Sequence, residues 1–230
     1  MNRFLALQHT YKGIEVALFK DNEILEKIYD DKRRASKYII SMINSVLEKN
    51  DLKILDLDFI AANQGPGPFT TLRVVIATVN GLGFATKKPL IGVDGLDALL
   101  EEYHDNRHEV TVALLDAFAQ DIYFGIEDTH TSNRVKGYKN ISVLLAELKA
   151  SFSNIRIKFL GNGAEKYRHN ILEYFGQKAV FPDFLPLQCS VGQVGRIALN
   201  TFKKGQEFEN QLLPIYLKDF VVKVNGPSSF

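Results

Sequence analysis

The chain has a single cysteine, Cys189, and no tryptophan among its 230 residues. One cysteine excludes an intrachain disulfide and a cysteine-based zinc cluster, and it suits a reducing compartment such as the cytosol. An excess of either charge is lacking too. Lys and Arg total 28 against 27 Asp and Glu, and the net charge of +1 offers no broad field to a polyanion. Contact with nucleic acid is therefore expected to be local or made through a partner. Polar residues from Gln8 to Lys12 cut off the short apolar stretch Met1 to Leu7 before a signal-peptide core or membrane span can form. The chain is accordingly expected in the cytoplasm, away from membranes. With no low-complexity segment, 46% hydrophobic and 24% charged residues describe one large or two small compact domains.

What is present is a run of alternating elements. Arg3 to Gln8, Ile14 to Phe19 and Ile24 to Tyr29 are β-rich runs parted by short polar turns, which predicts a three-strand meander. Ala35, Tyr38, Ile39, Met42, Ile43, Val46 and Leu47 follow the spacing of one helix face up to Asn50-Asp51. Leu57 to Gln64 reads as a buried strand, Phe69 to Ala85 as a helix and Leu90 to Val93 as a strand. The second half is expected to carry helices at Ser142 to Ser151, Ala164 to Phe175 and Val191 to Phe202, with a strand at Arg156 to Gly161. The tail is expected to be ordered up to Leu217 and loose after it.

Laying Leu7-Gln8 over Leu115-Asp116 aligns Leu5 to Leu18 with Ala113 to Ile126 without a gap. Two similar hairpins opening two similar halves predict a duplicated α/β protein. The boundary should lie in the polar stretch Glu101 to Glu109, with lobes at 1–105 and 106–230 and the last helix packing back on the first lobe.

Gly65-Pro66-Gly67-Pro68-Phe69-Thr70 joins a strand to a helix, where a helix N-terminus can hold an anion. It can equally be a tight turn, and no Lys-Ser/Thr pair follows as a phosphate-cradling loop requires. Gly65, Gly67, Thr70 and Asp116 are the candidate nucleotide or anion contacts. The helix after the loop is apolar around most of its circumference and thinned by Ala77, Gly81, Gly83 and Ala85. It therefore needs cover on two sides, one of which could be another subunit. His104 and His108 have a spacing that could ligate a metal on a helix, but Asp105-Asn106-Arg107 favour a solvated loop. No metal site is expected.

The block Gly65 to Arg73, the small-residue helix and then Lys88-Pro89-Leu90-Ile91-Gly92-Val93-Asp94-Gly95-Leu96 resemble the TsaB (YeaZ) signature, Gly-Pro-Gly-Ser-Phe-Thr-Gly-Leu-Arg followed by Pro-x-x-Gly-Val-Ser-x-Leu. Phe4 to Leu7, Leu115-Asp116-Ala117 with Tyr123, Gly161-Asn162-Gly163 and Pro214 to Leu217 follow in family order. The resemblance thus covers nearly the whole chain. It implies a two-lobed actin-like, Hsp70-like ATPase (ASKHA) fold with ribonuclease-H-like lobes. It also implies a non-catalytic scaffold that binds a TsaD-like threonylcarbamoyl transferase, with a TsaE-like ATPase, in threonylcarbamoyladenosine modification of tRNA next to the anticodon. The chain would have no cofactor of its own, ATP/ADP and metal would belong to the partner subunits, and tRNA would be met only through the complex. Gly95 and Leu99 stand where the transferase carries two metal-binding histidines.

The family's partner face lies on the two helices of the first lobe. Here it would be anchored by Ile39, Ile40, Met42 and Ile43 on one helix and by Leu72, Val75, Ile76 and Val79 on the other, with Arg73 as the polar member. Pro68, Thr71 and Val75 replace the usual Ser, Gly and Gly, and Gln8 stands where many members have Asp. Two rival readings remain: an independent ATPase or small-molecule kinase using Asp116, and a homodimer held by the same helices.

Overall fold

A computed structural model describes residues 1–31, 35–130, 133–205 and 208–217. The three opening runs form the antiparallel strands β1 (Arg3–His9), β2 (Gly13–Lys20) and β3 (Glu23–Asp31). Helix α1 (Ala35–Glu48) leads to β4 (Phe59–Asn63), which lies parallel to β1, and α2 (Phe69–Thr86) leads to β5 (Leu90–Val93), parallel to β4. The first sheet has the order β3-β2-β1-β4-β5. Helix α3 (Gly95–Glu102) follows, started by Asp94, whose carboxylate accepts from the amides of Leu96 and Asp97. That cap satisfies N–H groups which a helix start leaves unpaired.

The pattern then repeats. Strands β6 (Val110–Asp116), β7 (Asp121–Asp128) and β8 (Asn133–Asn140) form a second meander, followed by α4 (Ile141–Ser151), β9 (Ile157–Leu160), α5 (Asn162–Lys166), α6 (Arg168–Phe175), β10 (Ala179–Val180) and α7 (Val191–Lys203). The order β10-β9-β6-β7-β8 is the first sheet's order again. Two such lobes make the actin-like arrangement. Where one helix is expected over Ala164 to Phe175, the chain forms two, parted at Tyr167, which leaves the helical region at φ −105° and ψ 22°. The expected looseness after Leu217 lies outside the described residues.

The duplication needs one correction. Leu7 pairs with Val16 in the first hairpin, whereas Leu115 pairs with Tyr123 in the second. Leu5 and Leu7 pack under α1 and α2, and their equivalents under the second lobe's helices are Val112 and Leu114. The gap-free alignment is therefore one residue out on the first strand, because the second turn is one residue longer. A slip of one residue in a strand exchanges its two faces. The counterpart of Asp116 is His9, not Gln8.

The inner face of each sheet is covered from the opposite half. Helix α7 lies across β1, β4 and β5, α3 lies on β6 and β7, and the two helices touch. Phe19, Phe4 and Phe59 stack in a column that ends on Phe202 of α7, with successive ring centroids 4.8, 4.2 and 4.5 Å apart. Burial of such side chains contributes about 1.5–3 kcal/mol each. Helix α2 has the length and apolarity of a membrane span, with a mean hydropathy of 1.2. Its Leu72, Val75, Ile76 and Val79 are nevertheless buried in the core with β1 and β4.

Two glycines separate packing need from its absence. A Cβ on Gly195 of α7 would lie 2.4 Å from the Phe19 ring, while one on Gly81 of α2 would meet nothing within 4 Å. Gly195→Ala should therefore destabilise by about 1–3 kcal/mol through overpacking. Gly81→Ala should stabilise by about 0.5–1 kcal/mol through helix propensity. Urea denaturation of the two variants measures both signs.

Candidate functional site

Seven of the helix residues expected to anchor a partner are core residues. Ile39, Met42, Ile43, Leu72, Val75, Ile76 and Val79 are all buried against the outer face of the first sheet. Their 3.6-residue spacing identifies the stripe turned to the sheet, and this is why they cannot also form a surface. A charge at Ile43 or Val79 would test folding rather than binding. Ile40, 49% exposed, and Arg73, also exposed, are the two that face outward.

The outward surface is built from other residues. On α2 the sequence Phe69, Arg73, Ala77, Gly81, Phe84 runs along one exposed side, and Phe84 at its end is 78% exposed. Ile40, with Lys37, Tyr38 and Ser41, continues it onto α1, which packs beside α2. In the middle of the α2 side are the small residues Ala77 and Gly81, with the aromatic rings of Phe69 and Phe84 at its ends. Periodicity marks Phe69 and Phe84 only as apolar members of an apolar helix; separating the two faces needs the sheet.

A strap formed by residues 208–217 holds α2 in place. The Asn80 side chain donates to the Leu212 carbonyl at 3.0 Å and accepts from the Leu212 amide at 2.8 Å. Gln64 donates through Nε2 to the Leu213 carbonyl at 3.0 Å, and its own carbonyl accepts from the Ile215 amide at 2.8 Å. Arg73 Nε donates to the Tyr216 hydroxyl at 2.8 Å.

The Gly65 to Thr70 loop is a tightly bonded turn. Gly65, at φ 101°, donates its N–H to Asn63 Oδ1 at 2.8 Å, and its carbonyl accepts from Gly95 N at 2.7 Å. Gly67 rests on the His9 ring so closely that a Cβ would lie 2.2 Å from Cε1. Thr70 is exposed in the first turn of α2. Gln8 is buried: it donates to Glu15 and to the Cys189 carbonyl, and accepts from Asn63. Burial pushes the Cys189 thiol far above its usual range, so it is inert as a nucleophile.

Across the cleft, the Asp116 carboxylate accepts from Lys166 Nζ at 2.9 Å and from the Phe118 amide at 3.1 Å. Its carbonyl accepts from the Tyr11 hydroxyl at 2.7 Å, which ties the two hairpins together. Burial first, and the Asp116 charge second, push the Tyr11 phenol well above the usual range, so it stays a donor. Gly67 and the residues after Asp116 thus face each other over a cavity of about 390 Å³, but Asp116 itself is engaged with Lys166.

A second tie lies at the other side. Lys136 of β8 bonds both Asp94, the cap of α3, and Asp97 within it. Burial alone would lower its pKa, but the two carboxylates win and raise it. His104 and His108 do not share a ligand position: His104 Nδ1 meets Glu127 and His108 Nδ1 meets Asp105, each at 2.8 Å. Among the described residues no group of three or more His, Cys, Asp or Glu side chains could hold a metal ion.

His9 is fully buried, and neither ring nitrogen has a partner at hydrogen-bonding geometry. Burial lowers its pKa from 6.5 to about 4, the nearby Asn63 amide opposing this only in part. A neutral folded-state imidazole and a protonatable unfolded one give stability that is complete above pH 6.5 and lost as pH falls towards 4. The loss should reach up to about 3 kcal/mol. Denaturant midpoints between pH 7 and 4.5 should fall less steeply in His9→Gln than in the parent chain.

The family model described as TsaD, tRNA N6-adenosine threonylcarbamoyltransferase, matches residues 24–150. The chain is 21% identical over 225 residues to the tRNA threonylcarbamoyladenosine biosynthesis protein TsaB of Buchnera aphidicola subsp. Baizongia pistaciae, covering 95% of this chain and 99% of that one. To the TsaB of Escherichia coli it is 24% identical over 147 residues, 64% of each chain. A Pseudomonas aeruginosa crystal structure, described as an uncharacterized protein with similarity to peptidase YeaZ, superposes with a TM-score of 0.71 at 24% identity. That match covers 95% of this chain and all of the other.

Proposed function

Because the chain belongs to the TsaB (YeaZ) family, within the wider group matched by the TsaD model, we propose that it serves tRNA threonylcarbamoyladenosine biosynthesis in the cytoplasm as a non-catalytic subunit. In this role it binds a TsaD-type transferase through the exposed side of α1 and α2, and a TsaE-type ATPase joins the assembly. ATP/ADP, metal and tRNA are then handled by the partners or by the complex.

The observation that carries this reading is the second side of α2. Its first side is buried in the core, yet the other is an open, small-residue surface with Phe69, Phe84 and Ile40 around it. A glycine in a helix interior costs about 0.5–1 kcal/mol relative to alanine, and at Gly81 no neighbour within the chain requires it. Room for the backbone of a closely packed partner helix is what such a surface provides. Exposed apolar surface of this kind, with aromatic and arginine anchors, is typical of interface centres.

The groups that an ATPase or kinase would use support the same reading. Asp116 is ion-paired with Lys166, and Gln8 is bonded to Glu15, Asn63 and Cys189.

Light scattering after size exclusion, on this chain mixed with the TsaD-type protein of the same organism, should show a heterodimer. Ile40→Glu and Gly81→Gln, both at open positions, should not lower the melting temperature, Gly81→Gln raising it slightly through helix propensity, and should weaken the complex at least about tenfold. Parent-like complex formation by both variants would sink the reading.

A further inference from the structure

Arg73 is the only charged residue of α2, and its pose is set from two directions. Its guanidinium carbon lies 3.5 Å above the Phe69 ring, and Nε donates to the Tyr216 hydroxyl. Among the described residues no carboxylate pairs with it. A long, exposed side chain is thus held in one pose by stacking and a hydrogen bond, with its terminal N–H groups left over. That fork matches a carboxylate in two-point contact.

The rings that hold Arg73 also wall the inter-lobe cavity. Phe69 and Tyr216 line it together with Gly67, Leu72, Ile215 and, from the second lobe, Phe118. Phe118 is 56% exposed, and it opens a turn in which Phe118, Ala119 and Gln120 have φ of 64°, 48° and 66°. Left-handed backbone costs a non-glycine residue about 1–2 kcal/mol. Three in succession hold an exposed aromatic ring at the cavity rim. Strain of this kind concentrates where a ligand is gripped.

We propose that Arg73 and this cavity form one receptor for a protein segment that carries an Asp or Glu beside a large apolar side chain. The carboxylate takes the Arg73 fork, and the apolar side chain fills the space between Phe69, Phe118 and Tyr216. The inference rests on the partner-binding reading above and extends the contact surface beyond the two helices, onto the strap and the second lobe. Charge decides the class of ligand. Among the described residues no cation lines the cavity itself, Arg73 stands on its Phe69 and Tyr216 wall, and Lys166 is paired with Asp116, so the charge on offer comes from Arg73. It suits a single carboxylate and leaves a polyphosphate uncompensated.

The test is calorimetry of the full chain with the TsaD-type protein at low and high salt, using Arg73→Gln, Arg73→Lys, Phe118→Ala, Tyr216→Phe and Ile40→Glu. Arg73→Gln should weaken binding about tenfold and flatten its salt dependence, and Arg73→Lys should restore only part of the loss. Phe118→Ala should weaken binding about tenfold with the salt dependence unchanged. If Arg73→Gln and Phe118→Ala bind like the parent while Ile40→Glu does not, the receptor is wrong and the helical reading stands. Parent-like binding by all five removes both. If Tyr216→Phe reproduces the whole Arg73→Gln loss with unaltered salt dependence, Arg73 only secures the strap and the proposal falls. ADP binding to the chain alone, abolished by Phe118→Ala, would assign the cavity to a nucleotide and overturn it.

Discussion

Each sheet of this protein has an inner apolar face that its own half does not cover. The first sheet receives α7 from the end of the chain, and the second receives α3 from the first half. Phe4, Phe19 and Phe59 would otherwise face the cleft, and one helix from more than 130 residues away in sequence seals all three. Because the two covering helices also touch, neither lobe can rotate without disturbing the cover of the other. The Tyr11 to Asp116 bond and the Lys136 bonds to Asp94 and Asp97 add polar ties at separate points of the same seam. These contacts brace the two lobes against each other as a single body.

That bracing explains how the remaining surfaces divide. The outer face of the first sheet takes one side of α1 and one side of α2, so the stripe of best spacing is occupied internally. What remains outside is a strip of small side chains at Ala77 and Gly81, an aromatic ring at each end, and Arg73 fixed between Phe69 and Tyr216. An interface laid on a braced body loses little freedom on binding, which favours affinity without a large contact area.

Much of the fold was legible because local pattern and tertiary role coincide there. Strands β1, β2 and β5 and helices α1, α2 and α7 have periodic apolar positions that the core uses as expected. Helix α3 was not, since Gly95 to Glu102 is short and its start depends on the Asp94 cap rather than on a long stripe. Edge strand β8 escaped because Asn-Arg-Val-Lys-Gly-Tyr-Lys-Asn scarcely alternates. A gap-free alignment of the two hairpins is one residue out of register, because alternation alone does not locate an extra residue in a turn. For the site, spacing picks out the side of α1 and α2 that is buried on the sheet, not the side left exposed. Phe118 and Tyr216 carry no local signal for this cavity, since the residues they meet across it are over 45 residues distant.

The strap of residues 208–217 gives helix α2 a dependence on time as well as on space. Helix α2 can form early in synthesis, but the groups that hold Asn80, Gln64 and Arg73 in position are more than 130 residues further along the chain. A nascent or truncated chain would present the same apolar helix without its final set. The outer surface of α2 is thereby completed only when the rest of the molecule has been made.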